Sequence, residues 1–482
     1  MGSSLLKVAH DAATVGQFDE AQHFGALAPC AKIARMRTRI AHIAVLAALM
    51  IAGCAGPVRD QLDLMPPPDV YDDGMLNPLP EADPMKEIPY HGLLYATDRA
   101  PSSPGDREQY YLNERGKVLR LGVARISLHE SDVNWDEIRE VSLVKDRGDK
   151  YPLRVTGVHE YGILESTIPG FAEREDFDAE ALDGDEEFAE AVNQQLARST
   201  RKDINIYVHG FKVVFENPML VATELWHFLG YDGVMIGYAW PSTPSRWAWI
   251  RDTDTSNGYA RHFRKFLQYL AENTDAESIN VIGFSNGTRM VARAYEQLAL
   301  MYHDQSREQI QSELRLGQLI LVGSDLDREV FAAYVADGAL DVPRHLSVYV
   351  SEHDKALGFA RWLTRRKRLG QMLDDESLAP SIRRLFSDRV DHLSLIDVSD
   401  AEGASTGNGH AYFRRSPWVS SDILMTLMYG LSAEQRGLVR SPDLPVWQFP
   451  PDYINRLWAA LVKVSPGFAE AYRDRQAATV EP

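Results

Sequence analysis

Gly283-Phe284-Ser285-Asn286-Gly287 sets a serine between two glycines, directly after the apolar run Ile279–Ile282 and directly before a helical pattern over Thr288–Met301. As a bare pentapeptide G-x-S-x-G recurs by chance, but between strand and helix it is what a nucleophile elbow requires. There the serine hydroxyl stands exposed on a sharp turn, and Gly283 and Gly287 let neighbouring backbone pass close. The N–H of Asn286, at the positive end of the following helix, can face a carbonyl oxygen that gains negative charge. A second donor is expected in the loop after an earlier strand. His209-Gly210-Phe211 follows Ile204–Val208 at once, which makes the Phe211 N–H the candidate and leaves His209 as a structural residue. The chemistry in view is attack of Ser285 on an acyl carbon, with Phe211 and Asn286 holding the oxyanion.

Serine is a poor nucleophile without a base, and in this arrangement the acid and then the histidine follow it in the chain. Downstream lie His303, His345, His353, His392 and His410. His303 sits in a helical pattern, and His345 and His392 begin strands. His410 lies in Gly407-Asn408-Gly409-His410-Ala411-Tyr412-Phe413, a glycine-rich loop after the last strand, and is the preferred base; His353, which also follows a strand, is its competitor. For the acid, Asp354 follows the run Leu346–Val350 and is favoured to orient the imidazole and stabilise the imidazolium. Asp325, in Gly323-Ser324-Asp325-Leu326-Asp327 after the preceding strand, is the alternative acid, although helix capping also explains it.

The elements that must position these residues are legible as short beta-branched runs alternating with amphipathic segments beyond Arg201, the pattern of an α/β fold with a mostly parallel sheet flanked by helices. Strands are expected at Ile204–Val208, Val234–Tyr238, Ile279–Ile282, Leu319–Val322, Leu346–Val350 and Leu393–Val398. Helices are expected at Pro218–Leu229, Tyr259–Glu272, Thr288–Met301 and Lys355–Arg366. Upstream, Gly92–Thr97, Leu119–Leu128 and Arg154–Ile163 read as strands of an N-terminal beta-rich extension. The division is a leader over residues 1–53, a tether over 54–84 rich in proline, the extension with an acidic linker over 85–200, a catalytic core over 201–465 and a C-terminal tail over 466–482.

Tyr95-Ala96-Thr97-Asp98-Arg99, His209-Gly210-Phe211, Trp240-Pro241-Ser242, the elbow at Ser285, Asp325-Leu326-Asp327-Arg328-Glu329-Val330-Phe331, Asp354-Lys355-Ala356-Leu357 and Gly409-His410-Ala411-Tyr412 stand in one order over His91 to about Gly430. In these motifs the chain resembles the bacterial alpha/beta-hydrolase family catalogued as domain of unknown function nine hundred. The resemblance implies an alpha/beta-hydrolase fold and serine hydrolysis, and brings no substrate with it. One departure is local: the family elbow more often resembles His-Ser-Met-Gly, whereas Phe284 and Asn286 flank the serine here.

The N-terminus carries an address. Arg35, Arg37 and Arg39 precede the apolar stretch Ile40–Ala52, too short to span a bilayer comfortably, and Ile51-Ala52-Gly53-Cys54 resembles the lipobox of bacterial lipoproteins. Lipidation of Cys54 after cleavage is expected, with Met36 as the true start of translation. Ala55 in place of aspartate favours the outer membrane, facing the periplasm, in a diderm host. The protein is then held to the membrane by lipid.

The whole chain of 482 residues is 45% hydrophobic, with 69 Asp and Glu against 51 Lys and Arg; a net charge of -18 argues against a nucleic-acid surface, which needs a basic footprint. Two cysteines give neither a disulfide framework nor a cysteine metal site. The acidic run Glu173–Glu187 matches no calcium loop, and no metal or organic cofactor is expected. Trp240, Trp247 and Trp249 either line an acyl pocket or pack the loop. Arg365-Arg366-Lys367-Arg368 either touches lipid headgroups or caps a helix end. Carboxylic-ester hydrolysis leads; amide hydrolysis or acyl transfer by the same triad, and an envelope scaffold with lost chemistry, are the alternatives.

Overall fold

The computed structural model describes residues 61–480 apart from 75, 104–108, 128–133, 178, 246–247, 365–366, 372–390 and 442–445. Met36, the expected signal segment and Cys54 lie outside the described residues. Each beta-branched run beyond Arg201 becomes a strand buried on both faces. Ile204, Ile206 and Val208 enter one apolar cluster while Tyr207 between them enters the other, so both sides of the sheet are covered.

The strands are β1 (Gln61–Asp63), β2 (Leu93–Pro101), β3 (Tyr111–Ser127), β4 (Pro152–Ile163), β5 (Asp203–Val208), β6 (Val234–Ala239), β7 (Ser278–Phe284), β8 (Leu316–Val322), β9 (His345–Val350), β10 (Leu393–Asp397), β11 (Val439–Arg440) and β12 (Val446–Gln448). Among the described residues they form one 12-stranded sheet in the order β1-β4-β3-β2-β6-β5-β7-β8-β9-β10-β12-β11. From β2 to β12 every neighbouring pair is parallel. The pairs β2/β3, β3/β4 and β4/β1, and the small edge pair β11/β12, are antiparallel. The N-terminal extension therefore continues the central sheet.

Between β6 and β7 lies β5, so the chain leaves β5 toward one side and crosses back over it to make β7. Such a reversal opens a crevice at the carboxyl ends of the strands. Val208 pairs with Gly283 there, which places His209-Gly210-Phe211 beside Ser285. The expected helices form at Glu216–Phe228, Ala260–Asn273, Gly287–Met301 and Lys355–Thr364, within two residues of their anticipated ends.

Two expected segments are corrected. From Gln61 the supposed tether is part of the folded body: β1 pairs with β4, and Leu62, Met65, Val70 and Tyr71 are buried. The Met65 N–H donates to Glu224 Oε1 (2.8 Å), the Val70 N–H to Ser421 Oγ (3.1 Å) and the Tyr71 hydroxyl to the Phe228 carbonyl (2.5 Å). Prolines forbid regular periodicity in this stretch but do not prevent an extended strap from docking its apolar side chains one by one. The supposed C-terminal tail is a helix, Pro466–Val480, with proline at its first position and Phe468 wholly buried. Part of the acidic run supplies Asp185, Glu186 and Glu187 to the first turn of the Gly184–Arg198 helix, where the helix dipole favours carboxylates.

Candidate functional site

Ser285 has a φ of 52°, the left-handed conformation a non-glycine residue adopts only under constraint. Its backbone N–H donates to the Val322 carbonyl at the end of β8 (2.9 Å), and the Thr288 N–H and hydroxyl return to the Ser285 carbonyl at 3.2 and 2.6 Å. Crowding explains Gly287: a methyl group there would stand 2.2 Å from the His209 carbonyl oxygen. At Gly283 the same test finds only ordinary contacts, from 3.4 Å, so the first elbow glycine is not forced by space as the sequence pattern suggested.

The glycine-rich loop after β10 returns over the sheet and brings the His410 Nε2 to 2.8 Å from the Ser285 Oγ. On the far side of the ring the Nδ1 lies 2.6 Å from Asp354 Oδ2. One tautomer satisfies both contacts: Nδ1–H donates to the carboxylate, and Nε2 accepts from the serine hydroxyl. Asp354 is buried, its other oxygen caps the Lys355–Thr364 helix by accepting from the Leu357 N–H (3.0 Å), and its orientation is thereby fixed. Burial opposes a charge on His410, but the Asp354 carboxylate and its hydrogen bond, helped by the more distant Asp325, outweigh it and raise the imidazole above its ordinary pKa. The arrangement can remove a proton from Ser285 and hold the resulting imidazolium.

Tyr412, Phe413 and Arg414 hold the loop that carries His410. The Tyr412 hydroxyl accepts from the Gly323 N–H (2.7 Å) and donates to the Tyr349 carbonyl (2.8 Å), tying the loop to the ends of β8 and β9. The Phe413 ring meets Phe284 at 5.0 Å, and Phe284 in turn lies 4.9 Å from the His410 ring. Thus the aromatic residue that departs from the family's elbow packs against the imidazole. Arg414 pairs bidentately with buried Glu224, at 2.6 and 2.8 Å, the residue that also accepts from Met65.

Asp325, the alternative acid, is engaged elsewhere. Its Oδ2 accepts from Asn286 Nδ2 (3.1 Å) and Arg289 Nε (3.3 Å), and Arg368 Nε lies 3.3 Å from its Oδ1. His353 is exposed, with its backbone N–H donating to Ser351 Oγ (3.2 Å). Arg368 is buried in this ion pair, so neither headgroup contact nor the capping of a helix end describes it; Arg365 and Arg366 lie outside the described residues.

On the oxyanion side, Gly210 approaches Ser285 so closely that a methyl group on it would stand 2.9 Å from the serine Cβ. Among the described residues, neither the N–H of the following residue, Phe211, nor that of Asn286 after Ser285 has a hydrogen-bond acceptor within the protein. The Asn286 side chain adds something the sequence did not disclose. Its amide donates to Thr253 Oγ1 (3.1 Å) as well as to Asp325, clasping the Trp249–Gly258 helix to the elbow.

His209 is wholly buried and flat against Trp240, with ring centres 5.0 Å apart and planes at 3°. The Trp240 Nε1–H donates to the His209 carbonyl (2.7 Å). Trp240 is therefore packing of the loop and not an acyl-pocket wall. Burial and the nearby Arg99 push the His209 pKa well below the usual range, so the ring stays neutral and structural. Trp249 lies beneath the Arg368 guanidinium at 5.6 Å, and Trp247 lies outside the described residues.

Also unforeseen are the roles of Thr97, Asp98 and Arg99, three polar residues of β2 that are all 0% exposed. The Thr97 hydroxyl donates to the Ala239 carbonyl (2.7 Å), and Asp98 accepts from the Tyr238 hydroxyl (2.6 Å) and lies 2.7 Å from His262 Nδ1. Their signal in sequence is a polar tripeptide inside an otherwise apolar strand. Among the described residues no group of three or more His, Cys, Asp or Glu side chains is arranged to hold a metal ion.

A search of curated proteins finds no match to this chain. Among solved structures, the chain is similar to a crystal structure of esterase B from Lactobacillus rhamnosis inhibited by a C4-C4 sn3 tributyrin phosphonate. That similarity covers 59% of this chain and 81% of the other at 13% identity and a TM-score of 0.24. The family model described as alpha/beta hydrolase of unknown function (DUF900) matches residues 185–427, from the helix before β5 through the histidine loop, and the chain belongs to that family.

Proposed function

We propose that this protein is a serine hydrolase acting on carboxylic esters, with Ser285 as nucleophile, His410 as general base and acid, and Asp354 orienting the imidazole. The observation that carries the reading is the continuous line Ser285 Oγ, His410 Nε2, His410 Nδ1, Asp354 Oδ2, with contacts of 2.8 and 2.6 Å. As the Ser285 oxygen attacks the acyl carbon, its proton passes to Nε2 while the carbonyl oxygen takes up negative charge facing the N–H groups of Phe211 and Asn286. Collapse of the tetrahedral species expels the alcohol, which receives the proton from His410. Water, activated by the same imidazole, then attacks the acyl-enzyme and frees the acid.

The membrane belongs to this proposal through the lipobox-like Ile51-Ala52-Gly53-Cys54. Lipid on Cys54 would place the hydrolase on the periplasmic face of the outer membrane, within reach of acyl esters of the envelope. Two experiments test the parts separately. A series of p-nitrophenyl acyl esters of rising chain length, with free acid and alcohol quantified, should be turned over by the wild type and not by Ser285→Ala; equal turnover by both refutes the mechanism. Metabolic labelling with a palmitate analogue should mark the native protein and not Cys54→Ala, and an unmarked native protein removes the anchor.

A further inference from the structure

Arg99 is 0% exposed; the Glu216 and Asp252 carboxylates act on it electrostatically, while its guanidinium donates hydrogen bonds to neutral oxygens. Its Nη1 donates to Asn113 Oδ1 (2.5 Å) on β3 and reaches the Ser242 carbonyl (3.5 Å), while its Nη2 donates to the Val213 carbonyl (2.9 Å). The two carbonyls belong to different loops, the one after β5 that carries Gly210 and Phe211, and the one after β6 that begins with Trp240. The same loops are joined by the Val213 N–H donating to Ser242 Oγ (3.2 Å) and by the His209–Trp240 stack. A buried cation is costly unless its surroundings use it, and a guanidinium fork is the side chain suited to span two carbonyls at fixed geometry. Arg99 lies outside the residues matched by the family model.

We propose that Arg99 is a positioning residue for the oxyanion loop: by holding the Val213 and Ser242 carbonyls it sets Gly210–Val213 against Ser285, and its charge favours negative charge developing on that side of the crevice. Burial lowers its pKa to about 10, so the charge is retained at neutral pH, and its field already reaches His209. The inference deepens the reading of Ser285 as an ester-cleaving nucleophile and rests on it for its catalytic consequence. Interactions that tighten as charge develops act on the chemical step, and small displacements of such donors are costly.

The test uses the full chain carrying Arg99→Lys, which keeps the charge and loses the fork, and Ser242→Ala, which removes only the Val213 acceptor and should not threaten folding. On p-nitrophenyl butyrate, kcat is expected to fall on the order of 10- to 100-fold for Arg99→Lys and several-fold for Ser242→Ala, with KM within about twofold. Affinity for an alkyl boronic acid, which forms a tetrahedral adduct on serine, should fall in parallel with kcat. In Arg99→Ala, added methylguanidinium should restore part of kcat. Hydrogen–deuterium exchange reads the loop independently of turnover. Peptides spanning Gly210–Val214 should exchange faster in both variants while those of β7 do not change. Unchanged exchange there overturns the positioning role even if the wild type cleaves nothing, whereas absent turnover with faster loop exchange refutes the esterase reading alone. Folded variants with wild-type kcat overturn the proposal outright.

Discussion

At neutral pH a serine hydroxyl holds its proton, so the surroundings of Ser285 must supply a base and a place for charge. In the proposed mechanism His410 supplies the base, and the carboxylate that touches it decides how good a base it is. Asp354→Asn should leave the fold in place and lower kcat by up to about 10⁴-fold, since the amide favours the wrong imidazole tautomer; a loss of less than tenfold in purified protein would argue that Asp354 is not the orienting group. Asp325 acts at a distance. It contributes to raising the His410 pKa, and catalysis needs the neutral imidazole, so kcat/KM should rise with pH through a value above the ordinary histidine range. Replacing Asp325 with Asn removes a negative charge that favours the imidazolium, so that acidic limb should move to lower pH. A pH–rate profile measures it, and a limb that stays put or moves upward contradicts the electrostatic assignment.

Elements place these residues, and their legibility differed for physical reasons. The core strands announced themselves because a strand buried on both faces must be a short apolar beta-branched run, and the elbow because a left-handed serine between strand and helix leaves a motif. His410 was findable from chain order and its glycine-rich loop. Sequence position favoured Asp354 over Asp325, but both follow strands and only the path of the histidine loop separates them. The strap was misread, since Leu62, Met65, Val70 and Tyr71 dock singly among prolines and leave no periodic trace. Glu224 shows what that hid: one buried carboxylate holds Met65 of the strap and Arg414, four residues beyond His410. Glu224→Ala should cost about 3–5 kcal/mol in denaturant unfolding because it strands Arg414 without its partner; a cost under about 1 kcal/mol would mean the pair is dispensable.

For the whole molecule, one sheet among the described residues runs from the strap at β1 through the crevice to the edge pair β12 and β11. The strand that carries Arg99 lies on the N-terminal side of that crevice, and the histidine loop enters from the C-terminal side. A chain lacking the residues before Leu76 would lose four buried apolar side chains and their hydrogen bonds to the body. At roughly 1.5–3 kcal/mol per buried side chain, an upper bound for an extended reference, it should be destabilised by on the order of 5 kcal/mol. Differential scanning calorimetry reads this as a clearly lowered Tm, and an unchanged Tm would restore the tether.

All of these expectations depend on Ser285 being an activated nucleophile, and labelling of the purified full-length protein with a fluorophosphonate, followed by peptide mapping, tests that most directly. A single adduct on Ser285, absent in Ser285→Ala and formed far more slowly in His410→Ala, is the predicted result. A folded protein that takes no adduct at Ser285, or one whose labelling survives Ser285→Ala, would contradict it.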